Sequence, residues 1–157
     1  MIIPAILVQT FSEFEQQAKK LSFSPIIQID VMDGRFVPNK SFEEIDKING
    51  LNLKTEWELH LMVEHPIAEL EKWKDVKNIF RVIFHLECLD DIEKTIEAIK
   101  KYGFEAGIAL NPKTPVEKIH NFLKDIEVVM FMTVYPGRQG APFVPEVEKQ
   151  VKKLYKI

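Results

Sequence analysis

Ile26-Ile-Gln-Ile-Asp-Val-Met-Asp-Gly34 is the stretch whose pattern decides the fold. Ile26–Val31 is a short apolar run, closed by the turn signal Asp33-Gly34. Side chains alternate along an extended chain, so Gln28, Asp30 and Met32 share one face of this strand. Before it, Ile2–Val8 is another apolar run, interrupted by Pro4. Ser12-Glu-Phe-Glu15 then has the spacing of a capping box, and the helix behind it puts Phe11, Phe14, Ala18 and Leu21 on one face.

The same alternation continues after the strand. Ser41-Phe-Glu-Glu44 opens a short helix that Asn49-Gly50 ends. Thr55–Leu61 reads as a strand, and Pro66 suits a first helical turn, where a missing amide is tolerated. Ile79–His85 is a strand, and Asp90-Asp-Ile-Glu93 caps a helix carrying Ile92, Ile96 and Ile99 before Gly103. Glu105–Leu110 is followed by Thr114-Pro-Val-Glu117, a cap, a first-turn proline and a box glutamate. Glu127–Val134 is the sixth strand. A loop rich in Gly and Pro (Tyr135–Pro145) leads to a last helix with Val147, Val151, Leu154 and Tyr155 turned inward.

Successive strand starts fall 22 to 29 residues apart. That spacing predicts an α/β protein whose parallel sheet is built from right-handed crossovers. Two architectures satisfy it: an open doubly wound sheet, and a closed eight-stranded barrel. No Gly-x-Gly-x-x-Gly follows the first strand, which weighs against the dinucleotide-binding open sheet. Six units occupy the whole sequence, so either the sheet is open or a barrel is unfinished.

Composition excludes several classes. The sequence has 157 residues, 46% apolar and 29% charged, with 21 basic and 24 acidic side chains and a net charge of −3. This is a globular composition; it leaves no room for a disordered tail, a collagen repeat or a membrane bundle. Its mild acidity gives no electrostatic footprint for nucleic acid or anionic lipid. No stretch approaches the roughly 20 apolar residues that span a bilayer. Met1–Val8 has no basic leader and reads as a strand, not a signal peptide. Cys88 is the lone cysteine, which points to a reducing compartment; a cytoplasmic protein is expected.

Folds of this kind place their chemistry at the C-terminal ends of the strands. Those ends carry Gln28 and Asp30, Glu58 and His60, His85, and Asn111. Glu58, His60 and Met62 share one face of their strand, as Gln28, Asp30 and Met32 do of theirs. If both faces point inward, a carboxylate meets an imidazole beside flexible thioethers. Leaving such groups buried and unpaired costs roughly 1–3 kcal/mol each, so a ligand, a metal or a mutual hydrogen bond is expected. His85 reads as a hydrogen-bonded core residue, and His65 and His120 as solvent-facing. Met62 and Met132 taken singly read as packing. Lys149, Lys152, Lys153 and Lys156 suit the negative end of the last helix.

Six blocks carry a resemblance: Pro4-Ala-Ile-Leu7, Ile29-Asp-Val-Met-Asp-Gly-Arg-Phe-Val-Pro-Asn39, Glu58-Leu-His-Leu-Met62, Phe84-His-Leu-Glu87, Ala109-Leu-Asn-Pro-Lys-Thr-Pro115 and Met132-Thr-Val-Tyr-Pro-Gly137. One per strand and in order, they resemble the segments of ribulose-phosphate 3-epimerases. The resemblance implies a (β/α)8 TIM-barrel-type fold, here with about six β/α units. It also implies inversion of C3 of a small sugar-phosphate substrate, ribulose 5-phosphate. By the same resemblance Asp30 is one of two opposed acid/base carboxylates. One divalent metal ion (Zn, Fe, Mn, Co or Mg) would be held by Asp30 and His60, with His60 also near the substrate. Met32, Met62 and Met132 match the methionines around the intermediate, and Gly137-Arg138-Gln139-Gly140 matches the loop that closes over the substrate.

Three departures stand out. The family's His two residues before the catalytic Asp is Gln28, a weak ligand that would shift the site toward a harder ion such as Mn or Mg. The family's substrate-binding Ser is Ala5. The sequence also ends at Ile157, where the family enters a seventh strand carrying the second catalytic Asp in an Asp-Gly-Gly segment. The expectation is an incomplete, C-terminally truncated single domain, inactive or nearly so alone, with Ile2–Val8 and Glu127–Val134 as open edges for a homo-oligomer. Glu58 is the available candidate for a second carboxylate, and it lies deep on its strand. The alternatives are a sugar-phosphate binder without turnover, or an epimerase of a related ketohexose phosphate.

Overall fold

The computed structural model describes residues 1–156. Six strands form one parallel sheet in sequential order: β1 (Ala5–Ile6), β2 (Ile26–Met32), β3 (Glu56–Met62), β4 (Ile79–His85), β5 (Glu105–Leu110) and β6 (Val128–Phe131). Between and after them run helices α1 (Phe11–Lys20), α2 (Pro66–Trp73), α3 (Ile92–Lys101) and α4 (Val147–Leu154), with short 3-10 helices at Ile45–Leu51 and Val116–Phe122.

The two faces of the sheet separate the two candidate architectures. Ile27, Ile29 and Val31 of β2, Trp57, Leu59 and Leu61 of β3, and Val82 and Phe84 of β4 join one core with Phe14 and Ala18 of α1, Leu70 and Trp73 of α2, and Ile96 and Ile99 of α3. The opposite face carries Gln28, Asp30 and Met32, then Glu58, His60 and Met62, then Arg81, Ile83 and His85. Helices therefore cover one face only. A doubly wound sheet covers both and reverses its strand order; this one does neither, and is an arc of a β/α barrel. The arc is curled. Six flat parallel strands would hold the first and last about 24 Å apart. Instead Leu7, just past β1, and Met130 and Phe131 of β6 line one cavity, and Gln139 Nε2, in the loop after β6, donates to Leu7 O at 3.4 Å.

The inner face is layered. At its base Arg81 donates from Nη1 to Glu58 Oε2 at 2.8 Å and from Nη2 to Glu105 Oε2 at 2.6 Å. This engages Glu58, which is buried, in an ion pair below the level of Asp30. Above it lie Asp30 and His60, paired in register, and above them Met32 and Met62.

Several local expectations shift. β1 pairs only over Ala5–Ile6, as Pro4 lacks the amide to extend it. The α1 cap is Thr10, two residues upstream of the expected one: its hydroxyl accepts from Glu13 N and donates to Glu13 Oε2, a hydroxyl cap in which the glutamate bonds the side chain and not the backbone amide of a full capping box. Ser41 caps no helix; its hydroxyl accepts from Met32 N and donates to Asp30 O, pinning the end of β2. Asp91 caps α3, while Asp90 accepts from Ile67 N and contacts His65 Nδ1. Thr114 caps nothing and donates to Glu87. Tyr155 is exposed, because α4 has ended and turned it outward.

Candidate active site

β2 and β3 run parallel with Asp30 opposite His60, and the pleat turns both inward. His60 Nδ1 lies 3.0 Å from Asp30 Oδ1. The Gln28 amide, two residues earlier on the same face, donates from Nε2 to the same oxygen at 2.8 Å. On the far side, His60 Nε2 lies 3.0 Å from His85 Nε2, the rings stacked at 5.1 Å between centroids. His85 Nδ1 faces Glu87 Oε2 at 3.3 Å. Glu87 Oε1 accepts from Asn111 N at 3.0 Å and from the Thr114 hydroxyl. One continuous chain of polar atoms thus crosses the ends of β2, β3, β4 and β5.

His85 is fully buried, and the Phe36 ring covers it with centroids 4.8 Å apart. Burial pushes its pKa down, opposed by the bond to Glu87, so the ring is held neutral. Burial also acts to raise the Glu87 pKa, but the donors from His85, Thr114 and Asn111 outweigh it and hold the group as a carboxylate.

Asp30 and His60 open onto a cavity of about 290 Å³. Leu7, Gln28, Met62, Met130, Met132 and the loop Pro136–Ala141 complete its wall. The structure therefore gathers Gln28, Asp30, His60, Met62, Met132, Gly137, Arg138, Gln139 and Gly140 around one space. Met32 is not on that wall; it is buried beside Met62 and Val37 in the layer above Asp30. His65 is half-exposed, His120 is exposed, and neither reaches the cavity.

The loop after β6 is held over the cavity from across the arc. Asn39 Nδ2 donates to Gly137 O at 2.6 Å, and Gly137 has a φ of +99°. Beneath it, Asp33 Oδ1 accepts from Arg35 N and Phe36 N and Oδ2 from Glu64 N, each at 2.8 Å, tying the loop after β2 to the end of β3. Asp33-Gly34 is the turn its composition implies, and also a clamp between strands.

A second cavity, about 430 Å³, lies on the helix side between the loop after β2 and α2. Lys40 and Glu43, and Lys72 and Glu69, pair with each other on its wall.

Among the described residues no group of three His, Cys, Asp or Glu side chains converges to hold a metal. Asp30 and His60 supply two donors. Their facing atoms, Oδ1 and Nδ1, lie 3.0 Å apart, at hydrogen-bond distance. A carboxylate and an imidazole are donor types that a divalent ion accepts, and Asp30 and His60 are the residues that would hold one. Gln28 presents its amide N–H to Asp30, so in this arrangement it orients the carboxylate rather than ligating.

His85, read from the sequence as a hydrogen-bonded core residue, is buried and bonded on both ring nitrogens. Glu87, two residues past it and without a role in that reading, is the partner of its Nδ1.

An arc of β/α barrel with an acid–imidazole pair at the C-terminal mouth of its strands belongs to the class of barrels that do chemistry on small molecules there. Comparison with known proteins narrows the class. Residues 1–157 match the ribulose-phosphate 3 epimerase family, and the chain belongs to that family. It is 35% identical over 155 residues to ribulose-phosphate 3-epimerase of Chlamydia pneumoniae, covering 96% of this chain and 67% of that protein. It is 33% identical over 164 residues to the Bacillus subtilis (strain 168) protein of the same name, covering 99% of this chain and 73% of the relative. With the Methanocaldococcus jannaschii ribulose-phosphate 3-epimerase it shares 32% identity over 157 residues, 96% of this chain and 64% of that one. The chain thus spans about two thirds of the length of these relatives. No described helix is long and apolar enough to cross a membrane.

Proposed function

We propose that this chain carries one face of a ketopentose-phosphate epimerase reaction, with Asp30 as the carboxylate that exchanges the C3 proton on that face. The observation that carries the reading is the placement of the Asp30 carboxylate. It lies on the cavity wall at the strand mouth, oriented by Gln28 and His60, with Met62 and Met132 as apolar neighbours. A C3 proton is made acidic by the neighbouring carbonyl, and a carboxylate fixed within hydrogen-bond reach of it serves as general base. The thioethers offer a polarisable, water-poor lining that adapts to a planar intermediate. The loop Pro136–Ala141 forms part of the cavity wall. Asp30 Oδ1 and His60 Nδ1 would hold the divalent cation, which when bound supplies positive charge for the developing enediolate oxygens.

Asp30 by itself supports exchange of the C3 proton with solvent; inversion needs a second acid on the opposite face. Glu58 does not supply it, since Arg81 engages it below the level of Asp30. The discriminating assay is NMR of ribulose 5-phosphate in D2O, following loss of the C3 proton signal and appearance of xylulose 5-phosphate. Asp30→Asn should slow C3 exchange by about 10²–10⁴-fold while leaving the melting temperature nearly unchanged. Retained exchange in that variant removes Asp30 from the chemistry. Saturable binding of the sugar phosphate with no C3 exchange in the parent chain would instead favour the non-catalytic binder.

The setting we propose is cytoplasmic. Cys88 is a free, half-buried thiol whose pKa is pushed up to about 11, chiefly by burial, so it stays protonated and unreactive. Copies would associate through β1 and β6, each paired on one side among the described residues.

A further inference from the structure

We propose that Arg138, in the loop after β6, binds the phosphate end of the substrate through its guanidinium and so makes the site select phosphorylated over unphosphorylated ketoses. The inference rests on the reading of the cavity at Asp30 as a ketose site, and deepens it by assigning the group that recognises the anionic end.

The sequence isolates this cation. From Val128 to Pro145 no other side chain is charged, so Arg138 stands alone in an uncharged loop. Exposed cations elsewhere sit beside acids, as Lys19 does beside Glu15, Lys74 beside Glu71 and Lys153 beside Glu117. Among the described residues Arg138 has no such partner, and it is the one Lys or Arg on the wall of the cavity of about 290 Å³. It is exposed, so packing does not account for it either.

The fold puts this charge where an anion would meet it. Gly137 O accepts from Asn39 Nδ2 at 2.6 Å, Gln139 Nε2 donates to Leu7 O at 3.4 Å, and Val144 N donates to Thr133 O at 2.8 Å. These bonds anchor the loop on both sides of Arg138 and leave its five N–H donors unspent. Asp30 is on β2, whereas this loop follows β6, four places along the strand order. The cavity therefore has a negative wall and a positive wall. A substrate with a phosphate at one end is repelled by Asp30 and drawn to Arg138. That orientation turns its carbon chain, and with it the C3 proton, toward the carboxylate. A guanidinium suits the task, because its planar fork meets two phosphate oxygens at once.

Other polar groups do not compete for the role. Gln28 is spent on Asp30 and Gln139 on Leu7 O, and Thr133 offers a neutral hydroxyl. Arg35, Lys40 and Lys72 line the cavity on the helix side, not that of Asp30.

The experiment measures binding to the whole chain by calorimetry, in metal-free buffer at low and high NaCl. Its probes are ribulose 5-phosphate, ribulose and inorganic phosphate. Arg138→Gln removes the charge and keeps a polar side chain; Arg138→Lys keeps the charge without the fork. The parent should bind ribulose 5-phosphate at least tenfold more tightly than ribulose, with inorganic phosphate competing and NaCl weakening the complex. In Arg138→Gln the affinity for ribulose 5-phosphate should fall about tenfold, that for ribulose should hold, and the salt effect should shrink. Arg138→Lys should recover part of the loss. The melting temperatures of the three chains should agree, since the side chain is exposed.

Arg138→Gln with the parent's affinity for ribulose 5-phosphate overturns the proposal. So does a parent chain that binds ribulose and ribulose 5-phosphate alike, or binds neither. An equal loss for both sugars overturns it too, because the loop and not the phosphate contact would then be at fault. No readout here involves turnover. Phosphate selectivity lost in Arg138→Gln, in a chain without C3 exchange, counts against the epimerase reading and leaves this one standing. C3 exchange in the parent, with selectivity unchanged in Arg138→Gln, does the reverse.

Discussion

Gly137→Ala tests how the loop after β6 is seated. Gly137 has a φ of +99°, a conformation that costs an L-residue about 1–2 kcal/mol. A Cβ built there would lie 2.8 Å from Val37 Cβ and 3.1 and 3.3 Å from its two methyls. Val37 cannot retreat, because it is buried against Met32 and Met62. Overpacking of that kind costs about 1–3 kcal/mol, giving roughly 2–5 kcal/mol in total. The Asn39 bond to Gly137 O that holds the loop down contributes only about 1 kcal/mol. The loop should therefore lift instead of straining the core. Amide hydrogen exchange and proteolysis within residues 135–141 should rise at least 30-fold, the equivalent of about 2 kcal/mol, while the melting temperature changes little. Val37→Ala removes the two methyls but leaves the Cβ contact, so the double variant should recover only about 0.5–1 kcal/mol. Loop exchange unchanged in Gly137→Ala, or no coupling to Val37, would refute this packing argument.

Two more outcomes follow from the same geometry. Gln28→His replaces an amide N–H donor with an imidazole beside Asp30 and His60, and should tighten Mn2+ binding about tenfold (about 1.4 kcal/mol) by calorimetry; an unchanged titration means the third donor does not reach the cation. The second concerns acid stability. Burial alone would raise the Asp33 pKa, but the backbone N–H groups of Glu64, Arg35 and Phe36 outweigh it and hold the carboxyl below its ordinary range. A carboxyl depressed on folding stabilises the protein fully above its unfolded pKa of about 4 and loses that contribution as pH falls through the folded value. Asp33→Asn should therefore be less stable than the parent at neutral pH, the gap in urea midpoints narrowing as pH falls below the ordinary carboxylate range. A gap independent of pH would mean that the clamp does not depend on the charge.

The β/α alternation was legible because it is local. Runs such as Ile26–Val31 and Ile79–His85 are strands by composition and by the turn signals that bound them. Face sharing was legible too, since Gln28 and Asp30, or Glu58 and His60, are two residues apart whatever the strand pairs with. Caps were read less well. Thr10 and Ser12 both offer a hydroxyl three residues before a glutamate, and the choice of Thr10 depends on where Phe11 and Phe14 must enter the core, Phe14 packing on Phe42 and Trp57. The role of Ser41 was hidden for a similar reason, as its partners belong to the end of β2 and not to its own turn.

By itself, then, the sequence determined the six alternating units, the inward face of each strand and the likeness that marks Asp30 and His60. Tertiary structure alone decided that helices cover one face, that the arc curls enough to bring Gln139 to Leu7, and that His85 meets His60. The physical reason is range. Periodicity records which side of an element is apolar, within a few residues. Register, curvature and contacts such as that of His60 with His85 arise between strands whose paired residues lie more than 20 positions apart in the sequence, and no local pattern encodes them.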